Sequence, residues 1–514
     1  MSILTKLSNV IQDYTAEFFN SDLFVFICNN KWTIAAGLIG AYCVYKAITW
    51  PRNLPPGPRG WPIVGAMGQL TDNFQKDLLR YSEEYKSDVI SLYIGGTLTV
   101  GLNSADAIRE AFLKSEDFAD RGRFGELFDL KDEILSNTTY TERWRKLKSF
   151  IMSSLRTHGF GTPKSEDNIL MQLDKVCEEI DEKPGSTFTN DEAEHLFTKA
   201  TVCVFMKMIA NQDYDFNDEE LIDLINRIEG YQSVFFEEFF TVLVWFDVFP
   251  MWVVSLFIAR DSIKRCKASA AGIRAILQRH LEEHRATLDK NNSRDYLDDN
   301  IIESFRDPSF TDRMITDTII AFVPDGTETV SGTFVWCLFY LCLHPEYQEK
   351  MFNEISQVCG ANRPSLKERG KLIICEAVIL ESFRVSSEAG VSGAHTCSKD
   401  VKFRGYTIPK GSSLQANLWA AHYDPKVFPE PAKFKPERFI KDGKLTNTEN
   451  VMPFGLGRRK CPGEPLTRSE HFLYMTSLVL RYKFSFSKDG RPESSEGAGT
   501  FAKAPPCKIV FTPR

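Results

Sequence analysis

A single cysteine lies in a glycine-rich and strongly cationic loop near the C-terminal end of the chain. Residues 454–463 read FGLGRRKCPG, so that Arg458, Arg459 and Lys460 directly precede Cys461. Because nearby cations stabilise a thiolate, which is the form that binds metals, this setting favours a metal-ligating cysteine. The glycines allow the backbone to approach a flat ligand and leave amide donors for the sulfur. The alternative is an ordinary surface loop with an unrelated cysteine.

A second chemical signal lies inside a long apolar stretch that is predicted to be helical. Residues 321–329 read AFVPDGTET. Asp325, Glu328 and Thr329 occupy positions i, i+3 and i+4, which predicts that they share one helix face. A polar face on a buried helix usually has a reason, so these three side chains are candidate functional groups.

The cysteine loop resembles the heme-binding loop of the cytochrome P-450 family, F-x-x-G-x-R-x-C-x-G, at every fixed position. The resemblance implies that the cofactor is heme (iron protoporphyrin) and that Cys461 is the proximal metal ligand. It also implies that Arg459 contacts a heme propionate and that Phe454 belongs to the cofactor-binding loop. A thiolate ligand pushes electron density onto iron and favours O–O cleavage, so the expected chemistry is oxygen activation.

The apolar helix is similar to the oxygen-binding groove of the same family, [AG]-G-x-[DE]-T. The resemblance implies that Gly326 opens the helix beside the cofactor, and that Glu328 and Thr329 are catalytic groups that guide protons to oxygen. Two positions depart from the pattern. Asp325 stands where a small residue is expected, and Pro324 removes an amide and predicts a kink. Either the kink turns Asp325 towards solvent-filled space, or Asp325 lines the pocket and selects a substrate with a cationic or hydrogen-bond donor group.

Two more segments are similar to cofactor-binding positions of the family. Trp144 and Lys148 lie one helical turn apart and resemble W-x-x-x-R, in which both side chains reach a propionate. Lys148 departs from arginine, because it keeps the charge but loses the bidentate fork. His395 matches the position at which microsomal members present a basic side chain to the other propionate. These three residues are therefore expected to bind the cofactor.

An acid and a base at i and i+3 suggest a structural pair beside the heme loop. Taken alone, Glu381 and Arg384 would form a surface ion pair worth a few tenths of a kcal/mol. In context they resemble the E-x-x-R pair of the family, and Arg438 matches the third member of that network. These three residues are expected to form a structural lock without catalytic chemistry.

Composition and periodicity indicate a large, mainly α-helical protein with small β-sheets. The chain has 514 residues, 43% of them hydrophobic, and 39 phenylalanines, which suggest a large aromatic core or an apolar pocket. The net charge of −7 gives no reason to expect nucleic-acid binding. The 12 cysteines are scattered, which fits a reducing compartment.

Helices are predicted at 72–85, 141–155, 167–181, 262–288, 311–343, 366–384 and 464–482, and strand-like pieces at 91–102 and 402–408. With the resemblance, the expected fold is a cytochrome P-450 fold, a single large heme domain behind an N-terminal membrane anchor.

The N-terminal region is predicted to hold the chain on a membrane. Trp32–Trp50 is apolar apart from Lys46 and is near the lower length limit for a bilayer span. The alternative is a buried amphipathic helix. Residues 1–50 are therefore interpreted as an anchor, 51–62 as a proline-rich hinge and 63–514 as the catalytic domain. The resemblance to microsomal animal members implies the endoplasmic reticulum membrane with the catalytic domain in the cytosol.

Local charge and apolarity indicate the partners. Arg143, Arg145 and Lys146, together with Arg458 and Lys460, predict a basic patch on an acidic molecule, which suits docking of an acidic electron donor. A solvated cationic face is the alternative. The family implies NADPH-cytochrome reductase as the donor, with cytochrome b5 as a second one.

The substrate is expected to be lipophilic. Residues 234–257 are unusually apolar, and in the family this region caps the pocket and dips into membrane lipid. Aromatic core packing is the plain alternative. The function implied is NADPH- and O2-dependent monooxygenation of a steroid, fatty acid or xenobiotic. The alternatives are a reductase-independent isomerase or dehydratase of the same fold, and a heme-binding protein with little turnover.

Overall fold

The structure is a computed structural model, and it describes residues 37, 40–41, 51–61, 64–122, 130, 135–136, 138–237, 260–497 and 500–514. The chain divides into two units, Met1–Leu54 and Pro55–Arg514. Most of the expected anchor, and residues 238–257 of the expected pocket cap, lie outside the described residues. Within the described part, no helix combines the length and the apolarity needed to cross a bilayer.

Helices dominate the second unit, as the sequence predicts. They are α1 (Phe74–Glu84), α2 (Ala105–Lys114), α3 (Glu142–Thr157), α4 (Glu166–Glu182), α5 (Asn190–Ala210), α6 (Glu219–Glu237), α7 (Arg260–Ala286), α8 (Tyr296–Ser304), α9 (Asp312–Leu343), α10 (Pro345–Cys359), α11 (Ile373–Ser386), α12 (Leu418–His422) and α13 (Glu464–Arg481).

The strands are short and form several separate sheets. They are β1 (Val89–Ile94), β2 (Thr97–Leu102), β3 (Thr187–Thr189), β4 (His395–Thr396), β5 (Val401–Phe403), β6 (Tyr406–Ile408), β7 (Ser413–Ala416), β8 (Ile440–Lys441), β9 (Lys444–Leu445), β10 (Tyr482–Phe486) and β11 (Lys508–Pro513). The largest sheet has the order β1-β2-β7-β4, and a second has the order β10-β11-β3. The mainly α fold with small β-sheets is therefore confirmed.

The central helix α9 is the longest element, and most of its side chains are buried. The Thr311 hydroxyl caps its N-terminus by accepting the Met314 amide at 3.1 Å. Because buried residues cover most of its faces, the helix is held mainly by packing. It continues as helix through Pro324, although that residue has no amide to donate.

Three predicted elements differ from the observed ones. The piece expected at 402–408 is a hairpin of β5 and β6. The strand expected at 91–102 is a hairpin, because Gly95 adopts a φ of 56° and turns the chain between β1 and β2. The helix expected from residue 366 begins at Ile373. The Glu354 carboxylate of α10 accepts the amides of Ile374 and Cys375 at 2.8 and 3.0 Å, so a cap from another helix sets that start.

The Pro55–Pro56 part of the proline-rich segment is hydrogen-bonded to strand β1 of the first sheet. The Ser91 amide and hydroxyl of β1 donate to the carbonyls of Pro56 and Pro55 at 2.8 and 2.6 Å. A Cβ on Gly57 would lie 1.9 Å from the Ser91 carbonyl oxygen, so only glycine allows this approach. The division into an anchor (1–50), a hinge (51–62) and a domain (63–514) stays a prediction.

Candidate functional site

The Cys461 loop is closed by its own backbone at the start of α13. The Cys461 amide donates to the Phe454 carbonyl at 2.8 Å. The amides of Gly463 and Glu464, at the N-terminal end of α13, donate to the sulfur and lower the pKa of the Cys461 thiol, although burial raises it more. Amides that converge on a sulfur at a helix N-terminus stabilise a thiolate, so the loop is shaped to present one.

Gly457 fixes the loop against α2. Its φ is 77°, and a Cβ there would lie 2.1 Å from the Phe112 carbonyl oxygen. Both the backbone conformation and the space therefore require glycine. The Phe454 ring is held from the other side, 5.7 Å from the Phe383 ring and 5.2 Å from the Arg468 guanidinium. The sequence signature of this loop thus has a direct structural cause.

Arg459 and Trp144 form one unit beside the loop. The Arg459 guanidinium donates to the Ala119 and Leu135 carbonyls at 2.7 Å each, and to the Thr138 carbonyl. It lies 4.1 Å from the Trp144 ring centroid, and the indole amine of Trp144 donates to the same Leu135 carbonyl at 3.0 Å. The structure therefore brings two predicted cofactor-binding residues together.

Lys148 joins this unit from the next turn of α3. Its ammonium donates to the Arg458 carbonyl at 3.0 Å and lies 5.1 Å from the Trp144 ring centroid. Burial, and then the charge of Arg459, lower the pKa of Lys148. Lys148 thus contributes a positive charge at the expected position, but one of its N–H donors is already used by the Cys461 loop.

His395 lies on the opposite side of Arg459. Its Nδ1 is 2.8 Å from the Phe118 carbonyl, which can only accept, so Nδ1 carries a proton. The ring stacks on Phe112 with centroids 4.0 Å apart. Burial, and then the charges of Arg121 and Arg459, hold the pKa of His395 well below its usual range. An anion beside Nε2 would reverse that effect and allow a second donated hydrogen bond.

Arg121 is a further cation of the site that the sequence did not single out. It donates to the Ala394 carbonyl at 2.8 Å, next to His395. Burial, and then the charge of Arg459, lower the pKa of Arg121 to about 9. Its local sequence carries no distinguishing pattern, so only the tertiary structure reveals it.

These basic groups fit a cofactor that carries two carboxylates. Within the described part of the chain, Arg121, Lys148 and Arg459 form no ion pair with a carboxylate. The charge of Arg459 lowers the pKa values of Arg121 and Lys148, whereas the Asp120 carboxylate raises that of Arg459. Such a cluster is stabilised by a bound anion. The donor set therefore fits heme, with a sulfur ligand at one point and cations for the propionates at its edge.

One face of α9 borders an interior space towards Cys461. Asp325 and Thr329, four residues apart, are exposed, whereas their helix neighbours are largely buried. The Thr329 hydroxyl donates to the Asp325 carbonyl at 2.6 Å. The Asp325 carboxylate is the smallest of the influences that raise the pKa of the Cys461 thiol, so its charge is felt at the sulfur. Asp325 therefore lines the interior of the protein.

The environment of Asp325 leaves its charge without a cationic partner among the described residues. Although the Asp325 side chain reaches open space, the surrounding protein desolvates its carboxylate and raises the pKa of Asp325 to about 6, and a hydrogen bond from the Gln232 amide opposes that shift. Of the two interpretations left open by the sequence, this placement favours the one in which Asp325 lines the pocket.

Glu328 and Gly326 lie on other faces of α9. Glu328 is 9% exposed, and burial raises the pKa of its carboxyl to about 8, with Lys503 opposing. A Cβ on Gly326 would lie 2.8 Å from the Phe205 ring. Gly326 therefore lets α5 pack closely against α9, and the helix is continuous at this point.

The predicted lock of Glu381, Arg384 and Arg438 is confirmed. Arg384 donates two hydrogen bonds to the Glu381 carboxylate at 2.8 Å each, and Arg438 donates a third at 3.1 Å. Glu381 and Arg384 are completely buried. His422 connects the lock to the heme loop, because the Arg384 guanidinium donates to its carbonyl at 2.8 Å and its Nε2 accepts the Met452 amide at 2.9 Å.

The expected basic patch is exposed but partly paired. Arg143, Arg145 and Lys146 are exposed on α3, and Arg458 and Lys460 are exposed on the heme loop. The hydrogen bond from Lys148 to the heme loop makes the two halves contiguous. Three of the cations have acidic partners: Lys146 pairs with Glu142, Arg458 with Glu116 and Lys460 with Glu464.

Comparisons with known proteins agree with this site. Residues 55–511 match the sequence profile of the family described as Cytochrome P450. Cytochrome P450 2B4 from Oryctolagus cuniculus is 31% identical over 445 residues, which cover 84% of this chain and 88% of that protein. Cytochrome P450 2C16 from the same organism is 29% identical over 459 residues, covering 87% and 92%. Cytochrome P450 2U1 from Bos taurus is 28% identical over 502 residues, covering 90% of each. The chain therefore belongs to the cytochrome P450 family and is a heme-dependent monooxygenase.

Proposed function

We propose that the protein inserts one oxygen atom from O2 into a lipophilic substrate, a steroid, fatty acid or xenobiotic, with NADPH electrons delivered by a reductase. The observation that carries this proposal is the pairing of the Cys461 loop with a helix face that retains Thr329, next to Glu328. An isomerase or dehydratase of the same fold would not need a hydroxyl and an acid at these positions.

The residues proposed to hold heme come from the Cys461 loop, α3 and β4. Cys461 would ligate the metal, Arg459, Trp144, Lys148 and His395 would bind the propionates, and Phe454 would lie against the cofactor. Gly326 is assigned to the cofactor by the sequence pattern alone, since its Cβ position faces Phe205. The support is a cluster of cations that form no ion pair with a carboxylate of any described residue, together with the two amides that donate to the sulfur. When bound, heme supplies the activation of oxygen. The protein supplies orientation, charge and protons.

Thr329 and Glu328 are proposed to handle protons. The Thr329 hydroxyl gives its hydrogen to the Asp325 carbonyl and presents its lone pairs to the interior space. The pKa of Glu328, raised to about 8, keeps its carboxyl protonated at neutral pH. A proton held on a buried acid next to the hydroxyl suits general acid catalysis near physiological pH.

The substrate is proposed to meet an apolar pocket with one acidic group. Asp325 lines the interior space and lacks a cationic partner among the described residues, so a lipophilic substrate with a cationic or hydrogen-bond donor group complements it. Microsomal relatives support placement of residues 1–50 in the endoplasmic reticulum membrane with a cytosolic catalytic domain. Residues 234–257 are proposed to contact membrane lipid at the pocket entrance.

The electron donor is proposed to dock on the basic patch. Arg143 and Arg145 are exposed and lie beside Lys148, which contacts the heme loop. An acidic NADPH-cytochrome reductase, or cytochrome b5 as a second donor, complements this surface. Because exposed charges are screened beyond roughly 8 Å at physiological salt, docking of this kind weakens as ionic strength rises.

Reconstitution with reductase tests the function. Monooxygenation predicts NADPH consumption and oxygenated product with reductase present, and a rise in the KM for reductase with salt. Arg145→Glu should raise that KM several-fold, whereas Lys488→Glu, an exposed control after β10, should leave it unchanged. Turnover of a hydroperoxide without reductase would instead establish the isomerase, and heme binding without either activity would establish a binding protein.

A further inference from the structure

A second acid, whose Oε2 atom is buried, packs against the helix that carries the proposed proton donor. Glu388 follows α11, and its carboxyl packs against α9 where Gly332 leaves the backbone bare. A Cβ on Gly332 would lie 2.3 Å from Glu388 Oε1 and 3.1 Å from its Cδ. Gly332 is four residues after Glu328, so the two positions share one face and are about 6 Å apart along the axis. The missing side chain of Gly332 thus makes room for a carboxyl one turn from Glu328.

The backbone of Glu388 is fixed by the segment that precedes β11. Its carbonyl accepts the Ala502 amide at 2.8 Å, and the Gly390 amide donates to the Thr500 carbonyl at 3.1 Å. The next residue in that segment, Lys503, forms an ion pair with Glu194 of α5 at 2.9 Å. The Lys503 side chain is 53% exposed and that of Glu194 is 14% exposed, so this pair connects the surface with the buried acids.

The charged and titratable groups that act on Glu388 come from three elements. Burial raises the pKa of Glu388 well above its usual range, Glu194 and Glu328 raise it further, and Lys503 opposes them. The Cys337 thiol of α9 also lies within its electrostatic reach. Glu388 Oε2 is buried without a hydrogen-bond partner in the described part of the chain. Carboxylates close to each other repel, and the pKa of Glu328, raised to about 8, and that of Glu388, well above its usual range, favour the protonated form of both at neutral pH.

We propose that Glu388 is a positioning residue that returns protons to Glu328 from the Lys503–Glu194 pair at the surface. This inference rests on the proposed monooxygenase function. When Glu328 has given up its proton, the Glu388 carboxyl transfers its own proton to the Glu328 carboxylate. Glu388 then takes a proton from the Lys503 ammonium, and the Lys503 amine takes one from a hydronium ion of the solvent, which becomes water. Only O–H and N–H bonds form and break, and the net result is one proton moved inward.

The holoenzyme with Glu388→Gln tests the proposal, because glutamine keeps the shape and removes the exchangeable acid. Glu470→Gln is a matched control: Glu470 is completely buried in α13, its pKa is raised to about 8 by burial, and it lies outside the path. The first measurement is the infrared band of protonated carboxyls in the resting protein. The second is the pH profile of product formed per NADPH consumed with reductase.

We expect each glutamine variant to lose one protonated-carboxyl component from the infrared band. Only Glu388→Gln should lower product per NADPH, roughly tenfold, less than the 10²–10⁴-fold contribution of a direct proton donor. The pH profile of product per NADPH of this variant should lose the limb caused by the ionisation of Glu388, and the KM for substrate should be unchanged. Lys503→Met, an exposed substitution that leaves folding intact, should lower the yield in the same direction.

Separate outcomes overturn the two ideas. A wild-type protein that forms no product with NADPH and reductase removes the proposed function, and this inference with it. If the wild-type protein forms product from NADPH and Glu388→Gln has the same product yield per NADPH and the same pH profile, the inference alone is overturned. An infrared band that Glu388→Gln leaves intact also overturns it, because Glu388 would then hold no proton to give.

Discussion

The ionisation of Asp325 predicts a specific pH dependence of ligand binding. Its pKa, raised to about 6 by burial, means that the carboxyl is neutral below and anionic above that value. At pH 5 only about one-tenth of the molecules carry the anion, and at pH 7.5 nearly all do. A ligand with a permanently protonated amine binds the anionic form better. Its affinity should therefore rise about tenfold between pH 5 and pH 7.5, which corresponds to about 1.4 kcal/mol.

Ferric heme spectral titrations measure this effect directly. The matched pair of ligands differs only in an amine replaced by a methyl group, and the amine must stay protonated over the whole pH range. The neutral ligand should bind with nearly constant affinity. Asp325→Asn should make the amine ligand behave like the neutral one while retaining the Gln232 contact. A tenfold rise that persists in Asp325→Asn, or that the neutral ligand shares, would refute the assignment of Asp325 to the pocket.

Two stability predictions use matched controls. Glu381→Gln leaves two buried arginines without a carboxylate, so it should lower the free energy of unfolding by about 3–5 kcal/mol. Lys350→Met removes a half-exposed ion pair and should lower it by about 1 kcal/mol or less. Equal losses of the two variants in denaturant titrations would contradict the structural role of the lock. Gly457→Ala meets both a positive φ and the Phe112 carbonyl, whereas Gly411→Ala meets a positive φ of 81° in open space. Gly411→Ala should lower the free energy of unfolding by about 1–3 kcal/mol. Gly457→Ala should lower it clearly more and should also reduce heme retention. Equal losses for the two variants would show that the Phe112 contact does not matter.

Much of the proximal side could be predicted because short-range patterns specify it. The Cys461 loop has glycines at positions where the backbone needs a positive φ, and α9 starts within one residue of its predicted N-terminus. Its capping residue Thr311 and its apolar run are both local signals. The lock of Glu381 and Arg384 was predicted from a spacing that places them on one face of a helix.

Other parts of the site depend on contacts between distant segments and could not be predicted. Arg121 becomes part of the site only because the fold brings it beside His395, which is 274 residues later in the sequence. Glu388 acquires its role from the bare backbone of Gly332. The start of α11 is set by Glu354, a side chain from another helix. Periodicity reports which residues are buried, but it does not report which partner buries them.

The connection through His422 has a consequence for assembly of the holoprotein. His422 accepts the Met452 amide and donates from Nδ1 towards the Ser387 hydroxyl, 2.9 Å away, and burial keeps its pKa near 3, so the ring stays neutral in this one tautomer. Every atom of this chain of contacts belongs to the polypeptide. The loop can therefore reach its shape before any prosthetic group arrives, and capture of the cofactor becomes a docking event with a small entropy cost.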